Sequence, residues 1–484
     1  MPDGVTHASQ ETLPGLPLAV DLDGTLLAGD VLHEQFLRLL FQRPLLLLNV
    51  LFSLRQGKAA FKRRVVSLMP PLVVALPFRK PFLEWLRGQR QAGRPLHLVT
   101  ASDQHVADAV AAHLGIFDSA TGSDGATNLR GVAKGLSLRA RFPHGFAYAG
   151  DSSADLDVWA MASQVVLVNA SSATAAKVRA RGWPVLAEFA RMPPGPKDWL
   201  AAIRLHQWSK NALLLPLLLG HRFGDAQATL RVLAAMLILS VAASGTYILN
   251  DLADLEADRL HASKWRRPFA SGRISPVAGL LVAVLLIGGA LACAAWLALS
   301  CLVLVAIYIA ISLTYSLRLK SVPFLDTSII SALFTLRLVL GIEMARVLYS
   351  PWLISFAGFF FLSLALAKRH VEVMQAADGS GASLARRGYR PEDWPLTLAF
   401  GVAAAFASLQ IMILFVADDA RPSLLYAHPY RLYLLPSGIA LWLMRVWFLA
   451  HRKQLSHDPV IFALRDPVSW FLGAYTLAIV LAAL

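Results

Sequence analysis

An apolar run from Val232 to Leu249 ends in Asn250-Asp251-Leu252-Ala253-Asp254-Leu255-Glu256-Ala257-Asp258, and the run is long enough to be a membrane helix. If the helix continues through this stretch, Asp251, Asp254 and Asp258 share one face, because they stand at positions i, i+3 and i+7. Three carboxylates on one face repel one another unless a cation lies among them, and such hard oxygen ligands suit Mg²⁺. The alternative is a solvated acidic loop between two membrane helices.

Basic residues follow the acidic stretch at once, namely Lys264, Arg266, Arg267 and Arg273. They are placed to hold phosphate charge beside a metal ion. Charges clustered in this way at a membrane boundary favour a functional site over a solvated loop.

The composition indicates a polytopic membrane protein that also has a globular domain. Of the 484 residues 56% are hydrophobic, the mean hydropathy is +0.54, and the apolar runs crowd the region after Asp198. The net charge of +14 suits anionic lipid headgroups or phosphorylated substrates better than nucleic acid. Cys293 and Cys301 both lie in apolar runs, so we expect no disulfide framework. Met1 to Pro17 has no apolar core, and we therefore expect no signal peptide and a first domain in the cytoplasm.

Three short apolar strands in the first domain each end in polar residues. They are Leu18-Ala19-Val20 before Asp21-Leu22-Asp23-Gly24-Thr25, Leu96-His97-Leu98-Val99 before Thr100-Ala101-Ser102, and Phe146-Ala147-Tyr148-Ala149 before Gly150-Asp151-Ser152-Ser153-Ala154-Asp155. Strand alternation puts Asp21 and Asp23 on one side, at the carboxyl end where parallel sheets build their sites. Gly24 allows a sharp turn, and Lys134 lies in a Gly-Val-Ala-Lys-Gly stretch.

This order of motifs resembles the haloacid-dehalogenase (HAD) phosphatase superfamily, and the resemblance implies a Rossmann-like α/β fold. It also implies that Asp21 is the nucleophile, that Asp23 is the general acid and base, and that Thr100, Ser102 and Lys134 hold the phosphoryl group. Asp21, Asp23 and Asp151 would bind Mg²⁺, with Asp155 in support. A carboxylate nucleophile, a neighbouring proton donor and cations agree with that chemistry. The alternative is an inactive sheet kept as a scaffold.

Residues 30–80 lie where the superfamily inserts a helical cap. Within them, the apolar run Pro44 to Leu54 is shorter than the ~20 residues of a membrane span. It is flanked by Arg38, Arg43, Arg55 and Lys58. Two interpretations stay open, a core helix of the cap and a helix on the membrane surface, in which case the phosphatase would act on a lipid-borne phosphate.

The proline-rich stretch Met192 to Pro196 predicts a linker at 191–197, between a phosphatase domain at 1–190 and an all-α membrane domain at 198–484. We predict about nine transmembrane helices, which begin near Asn211, Leu230, Val277, Leu299, Phe324, Trp352, Pro395, Tyr433 and Ser469. The basic loops between them predict a multi-pass protein of the inner (plasma) membrane. The phosphatase and the transferase site would lie on its cytoplasmic side.

The acidic stretch, followed by His261, Lys264, Arg267-Pro268 and Ala270-Ser271-Gly272, resembles the UbiA prenyltransferase superfamily from Arg204 to the C-terminus. Ordinary members carry a second Asp-x-x-x-Asp motif. Here Asp326 is followed by Ile330 where the second aspartate would stand. This departure argues against transfer of a prenyl group from a polyprenyl diphosphate to an aromatic acceptor.

The membrane domain is more similar to the polyprenyl-phosphate phosphoribosyltransferases of the decaprenyl-phosphate type. It shares with them Gln207-Trp208-x-Lys210-Asn211, Tyr315-Ser316-x-x-Leu319-Lys320, Leu336-Arg337, Lys368-Arg369 with Glu372, and Asp458-Pro459. The resemblance implies polyprenyl phosphate as the nucleophile, phosphoribosyl diphosphate as the donor, and Mg²⁺ on Asp251, Asp254 and Asp258. The implied substrate-binding residues are Asn250, Lys264, Arg267, Lys320 and Arg337 for the donor, Lys210, Lys368 and Arg369 for the lipid phosphate, and Asn211, Tyr315, Asp326 and Glu372 around them.

Together these patterns predict a bifunctional enzyme that makes polyprenyl-phosphoryl-5-phosphoribose and then removes the 5-phosphate, supplying a lipid-linked pentose for cell-envelope or surface glycans. One alternative is a UbiA-type prenyltransferase with an aromatic or glycerophosphate acceptor and a phosphatase of separate substrate. Another is a membrane binding or transport protein with a regulatory phosphatase-like domain. That alternative predicts a polar path through the spans, whereas the charges gather at one membrane face.

Overall fold

Seven short strands form a sheet at the centre of the N-terminal part in the computed structural model, which describes residues 5–6, 15–124, 128–214, 224–261, 263–378, 387–423, 425–455 and 459–484. The strands are β1 Val5–Thr6, β2 Leu18–Val20, β3 Leu96–Asp103, β4 Ser119–Ser123, β5 Ala147–Gly150, β6 Gln164–Val168 and β7 Val185–Phe189. They pair in the order β1-β7-β6-β5-β2-β3-β4, and every pair is parallel except β1 with β7. The three predicted strands are therefore neighbours at the centre of one sheet.

Helices cover both faces of this sheet, as expected for strands that are apolar on both sides. The helices of this part are α1 Val31–Gln42, α2 Leu47–Phe52, α3 Lys58–Leu68, α4 Lys80–Gln91, α5 Gln104–Leu114, α6 Val132–Arg141, α7 Leu156–Trp159, α8 Ser172–Ala180 and α9 Pro196–Ala202. Helices α4 to α8 cover the sheet. Leu18 and Val20 of β2 pack with α4 and α5, and Ala19 packs with α6, α7 and α8 on the other face. This arrangement confirms the predicted α/β fold.

Helices α1, α2 and α3, joined by the short helical turns Pro44–Leu46 and Ser53–Gln56, form the cap. The cap has a small core of its own, in which Leu39, Val50, Val65 and Met69 are buried. The apolar run of the cap is only partly used in this core, because several of its leucines are exposed.

The C-terminal part is helical. Its helices are α10 Ala226–Ala253, α11 Leu255–Leu260, α12 Pro276–Leu297, α13 Leu299–Leu317, α14 Leu325–Ala345, α15 Pro351–Ala377, α16 Trp394–Leu414, α17 Leu435–His451, α18 Pro459–Arg465 and α19 Pro467–Ala483. In the described ranges, seven helices are long and apolar enough to cross a membrane. These are α10, α12, α13, α14, α15 and two helices that include α16 and α17, Pro391–Ala420 and Pro429–His451.

These seven helices confirm the polytopic membrane fold and account for seven of the nine predicted starts. The start near Ser469 falls in α19, which has 17 residues and is below the length of a span. The start near Asn211 leads into residues 215–223, which lie outside the described residues.

Small residues let the membrane helices approach closely. The ring of Trp447 on α17 lies against Gly401 on α16, where any side chain would collide with it. The indole of Trp447 donates to Ser363 Oγ (2.9 Å), and that hydroxyl donates to the carbonyl of Gly401 (2.9 Å). Such packing of small residues with internal hydrogen bonds is how helices associate where no water drives them together.

The chain divides into two packed units, and neither is a single continuous segment. The first unit takes segments from both predicted domains, and the second takes two separate segments of the membrane domain. The first unit is Met1–Ile203 with Tyr247–Val282, and the second is Arg204–Thr246 with Ala283–Leu484. The acidic stretch and α11 thus belong to the same unit as the sheet. The domain boundaries drawn from the sequence stay a prediction, because these units follow packing rather than chain order.

Candidate active sites

Three carboxylates meet at the carboxyl ends of β2 and β5. One oxygen from each of Asp21, Asp151 and Asp155 lies within 4.8 Å of the others. Among the described residues, this is the one group of three or more His, Cys, Asp or Glu side chains that is compact enough to hold a metal ion. Burial raises the pKa of Asp21, and the charge of Asp155 adds to the rise. Burial and the charge of Asp155 together raise the pKa of Asp151 to about 8. A cluster of hard oxygen donors with excess negative charge fits Mg²⁺.

A buried hydrogen-bond chain fixes this cluster. Lys134 Nζ donates to Asp21 Oδ1 (2.8 Å) and to the hydroxyl of Tyr148 (2.9 Å), which in turn donates to Asp155 Oδ1 (2.8 Å). The other oxygen of Asp155 accepts from the backbone amides of Asp151 and Ser152. Lys134 therefore favours the ionised form of Asp21, which a nucleophile requires, and Asp155 orders the loop that carries Asp151.

Two hydrogen bonds fix the carboxyl group of Asp23. Its Oδ1 accepts from the amide of Val31 (2.8 Å) and its Oδ2 accepts from Ser102 Oγ (2.6 Å). Burial raises the pKa of Asp23 to about 7, and the negative charge of Asp30 adds to this effect. A carboxyl group with a pKa near neutrality can both donate and accept a proton at physiological pH.

The turn after β2 depends on Gly24. Its φ is +78°, and a side chain there would collide with the carboxylate of Asp151. Only glycine meets both conditions without strain. Thr100 is fully buried and its hydroxyl accepts from the amide of Ser102 (3.0 Å), so two of the predicted phosphate-binding residues are joined at the end of β3.

Basic residues that were not among the predicted phosphate ligands also line the site, two of them from the cap. A cavity of about 760 Å³ contains Asp21 and Asp23 and is also lined by Lys58, Lys62 and Arg130. Lys62 Nζ donates to the carbonyl of Ala101 (2.6 Å), which places its charge beside the end of β3 that carries Thr100 and Ser102. Burial lowers the pKa of Lys62, and Asp23 opposes that effect. The only signal in the sequence was a basic run within the cap.

The acidic stretch differs from a continuous helix. Helix α10 ends at Ala253 and α11 begins at Leu255, with Asp254 as the break between them. Asp251 and Asp258 are buried and share Arg267, whose Nη1 lies 3.1 Å and 2.6 Å from their oxygens. Burial raises the pKa of Asp258, and Arg267 opposes the rise.

In the described residues, the three aspartates of this stretch do not converge as closely as Asp21, Asp151 and Asp155 do. Asn250 and Lys264 are half-buried nearby in sequence. The donors are all carboxylate oxygens, so the set suits Mg²⁺, and Arg267 is the group that a cation would have to displace or share. Their roles in substrate binding stay a prediction.

In the second unit, Arg337 lies deep in α14 and is almost fully buried. Its Nε donates to Asn211 Oδ1 (2.9 Å), its Nη1 to the carbonyl of Leu333 (2.8 Å) and its Nη2 to the hydroxyl of Tyr308 (3.0 Å). The structure thus joins two predicted residues, Arg337 and Asn211, and adds Tyr308. An intramembrane arginine that is this well hydrogen-bonded marks a functional site more often than a structural one.

A second cluster in this unit surrounds the fully buried Asp326. Arg369 Nη2 lies 2.6 Å from Asp326 Oδ2, and the Tyr389 hydroxyl donates to Asp326 Oδ1 (2.8 Å). Arg369 also pairs with Glu372, and Arg387 contacts the hydroxyl of Tyr315 (3.2 Å).

This second cluster contains four candidate residues, Tyr315, Asp326, Arg369 and Glu372, and adds Tyr389 and Arg387, neither of which was a candidate. Lys320 is half-buried, Lys368 is exposed, and the side chain of Lys210 lies outside the described part of the chain.

The two parts of the chain match two family models. Residues 18–159 match the haloacid dehalogenase-like hydrolases, and residues 213–483 match the UbiA prenyltransferase family. The uncharacterized protein y4nM of Sinorhizobium fredii is 45% identical over 95% of this chain and 89% of its own. The nodulation protein NoeC of Azorhizobium caulinodans is 32% identical over 56% of this chain and 91% of its own.

A third relative is similar to the C-terminal part. The decaprenyl-phosphate phosphoribosyltransferase of Mycolicibacterium smegmatis is 33% identical over 41% of this chain and 65% of its own length.

Proposed function

Because the chain belongs to the UbiA prenyltransferase family and carries a haloacid dehalogenase-like hydrolase domain, we propose that it catalyses two consecutive reactions on one lipid. The membrane domain transfers 5-phosphoribose from phosphoribosyl diphosphate to polyprenyl phosphate. The hydrolase domain then removes the 5-phosphate and leaves polyprenyl-phosphoryl-ribose. One observation carries this proposal: a phosphatase-type site, in which Lys134 donates to Asp21 and Asp23 lines the same cavity, is fused to a relative of phosphoribosyltransferases, whose product bears a phosphate monoester.

In the transfer, an oxygen of the lipid phosphate attacks C1 of the ribose and diphosphate leaves. The basic residues Lys264, Arg267, Lys320 and Arg337 offset the charge of the donor, and Lys210, Lys368 and Arg369 bind the lipid phosphate. Bound to Asp251, Asp254 and Asp258, and to the phosphatase carboxylates, Mg²⁺ would withdraw charge from diphosphate and phosphoryl oxygens.

In the hydrolysis, Asp21 attacks the 5-phosphorus and Asp23 gives its proton to the leaving ribose oxygen. The aspartyl-phosphate is then hydrolysed by water, from which Asp23 takes a proton. The contacts of Lys134 with Asp21 and of Ser102 with Asp23 support these roles. The basic loops between spans favour an inner-membrane protein with both reactions on the cytoplasmic side.

The experiment uses membranes that contain the wild-type chain, Asp21→Asn or Asp251→Asn. Each is supplied with polyprenyl phosphate, ribose-labelled phosphoribosyl diphosphate and Mg²⁺, and the labelled lipid is identified by mass. We expect lipid-linked ribose from the wild type, lipid-linked phosphoribose from Asp21→Asn and no labelled lipid from Asp251→Asn.

The two variants control for each other, because each removes one carboxylate and leaves the other site intact. If the wild type labels no lipid, phosphoribosyl transfer is wrong, and polyprenyl diphosphates become the donors to test. If Asp21→Asn still yields dephosphorylated lipid, the hydrolase domain acts on another substrate.

A further inference from the structure

We propose that the tip of the cap, residues 44–54, docks on the lipid–water interface of the membrane that the same chain crosses. The tip exposes large apolar side chains that a soluble surface would not place together. Their exposed fractions are Leu45 87%, Leu48 77%, Leu51 45%, Phe52 60% and Leu54 47%. Val50 on the same helix is fully buried in the cap core. Helix α2 is therefore fixed to the cap by one side and presents leucines on the other.

The charge around the tip suits an anionic lipid surface. No aspartate or glutamate occurs from Gln35 to Leu83, whereas the same stretch contains Arg38, Arg43, Arg55, Lys58, Lys62, Arg63, Arg64, Arg79 and Lys80. The guanidinium of Arg55 lies over the ring of Phe52, 4.7 Å from its centroid. Basic groups beside apolar side chains are the pattern of helices that lie in the headgroup region, where the apolar face enters the lipid by about 5–10 Å.

The base of the cap is attached to a segment that lies between two membrane-length helices. Glu34 on α1 forms two 2.7 Å contacts with Arg259 on α11, and Arg38 lies 3.0 Å from Glu256 on the same helix. Gly272 lies so close to Ala28 that a side chain at position 272 would collide with it. Helix α11 follows the end of α10 directly, so these contacts hold the cap where a membrane helix leaves the lipid.

The geometry of the tip differs from that of a straight span. Helices Val31–Gln42 and Pro44–Gln56 reach the length and hydropathy of a membrane span only together, and they bend by 120° at their junction. The first of them carries the ion-paired Glu34 and Arg38, which cannot enter lipid cheaply. The second is short and apolar, so it suits shallow insertion.

This placement has a consequence for catalysis that rests on the proposed function. The phosphatase cavity is lined by Leu54 from the tip and by Val277 from the first turn of α12, besides Asp21 and Asp23. In the proposed placement, one wall of the cavity would therefore adjoin the lipid surface. A phosphate on a lipid-linked sugar could reach Asp21 while its polyprenyl chain stays in the bilayer.

Fluorescence quenching tests the docking without reference to activity. The full chain, with Cys293 and Cys301 changed to serine, carries a bimane on Leu48→Cys and is placed, one copy per disc, in nanodiscs that contain phosphatidylglycerol. We expect nitroxides on lipid acyl chains to quench this probe and aqueous iodide to have little access to it. The matched control is Leu136→Cys, another exposed leucine, which lies on α6 outside the cap (56% exposed).

Two results would overturn the docking surface. One is a Leu48 probe as open to iodide as the Leu136 probe. The other is protection that appears only when two copies share a disc, which would identify the partner as a second chain. Quenching by lipid at one copy per disc supports the bilayer.

A second readout separates this inference from the proposed reaction. The double variant Leu45→Glu with Leu48→Glu should lower the ratio of lipid-linked to soluble phosphate monoester hydrolysis by about tenfold or more, since burial of one leucine is worth about a factor of ten. Leu136→Glu should leave that ratio unchanged. Lipid quenching at Leu48 without hydrolysis of lipid-linked phosphoribose by the wild type would support the docking and overturn the reaction.

Discussion

Removal of the Arg259 guanidinium should loosen the cap and α11 together. The side chains of Arg259 and Glu34 are only 6% and 11% exposed, and two contacts of 2.7 Å join them. Arg259 also donates to the carbonyls of Ala75 and Ala270, each at 3.1 Å. Arg259→Met therefore leaves a buried carboxylate and two buried carbonyls without their donor. The expected cost is about 3–5 kcal/mol, the usual cost of removing one partner of a buried ion pair.

Hydrogen exchange measures this loss locally, in the full chain in nanodiscs. Peptides that cover Val31–Gln42 and Leu255–Leu260 should exchange about 100-fold faster or more in Arg259→Met, because local opening becomes easier by the free energy lost. The double variant Glu34→Leu with Arg259→Met should exchange more slowly than Arg259→Met alone, since it leaves no uncompensated buried charge.

The neighbouring pair provides a matched control. Arg38 and Glu256 join the same two helices by a 3.0 Å contact, but their side chains are 28% and 30% exposed. Arg38→Met should therefore accelerate exchange by about fivefold at most, the scale of a solvent-screened ion pair. Equal effects of Arg38→Met and Arg259→Met, or no rescue in the double variant, would refute the argument from burial.

Other sites give further predictions. Mg²⁺ should bind the phosphatase site more tightly as the pH rises from about 6 to about 9, because Asp151, whose pKa is about 8, must lose its proton to become a ligand. Titration calorimetry measures the affinity for Mg²⁺, and an affinity that does not depend on pH would contradict this prediction. Without metal, protonated Asp151 stabilises the fold fully at a pH below the pKa that this group has in the unfolded chain. This stabilisation is lost as the pH rises through the raised pKa of the folded state, so the thermal unfolding temperature in chelator should fall as the pH rises to about 8. Lys62→Met should raise the KM for a phosphate monoester about tenfold and the more exposed Lys58→Met less than about threefold, by steady-state kinetics. Arg337→Lys should lower phosphoribosyl transfer about tenfold or more, with hydrolysis of a soluble monoester as control, because lysine cannot reproduce the fork that contacts Asn211.

The sheet and its catalytic ends could be predicted from the sequence because their signals are local. Each central strand is a short apolar run followed directly by the polar residues that the site uses, so Asp21, Thr100 and Asp151 could be placed at one edge. Tyr148 could not be recognised, because a tyrosine within a buried strand looks like a core residue. Its role depends on contacts with Lys134 and Asp155 that only the fold creates.

In the helical part, the sequence pattern predicts the helices but not the contacts between them. Periodicity identified the membrane helices, but it extended α10 through Asp254, where the chain breaks and Arg267 joins Asp251 to Asp258. The partner of Asp326 is Arg369, on another helix. Helical spacing cannot reveal such a pair, because it depends on how two helices pack and rotate against each other.

The packing of α11 against the cap bears on how such a protein can evolve and be divided. A gene cut at the proline-rich segment near Met192 would separate the sheet from α11, although both belong to one packed unit. The severed hydrolase would expose Glu34 without Arg259, and the severed membrane domain would expose Arg259 without Glu34. The two halves are therefore not independent modules, because Glu34 in one half and Arg259 in the other neutralise each other. Exchange of either half for a homologue by recombination at the linker would therefore call for a compensating change at the other member of this ion pair.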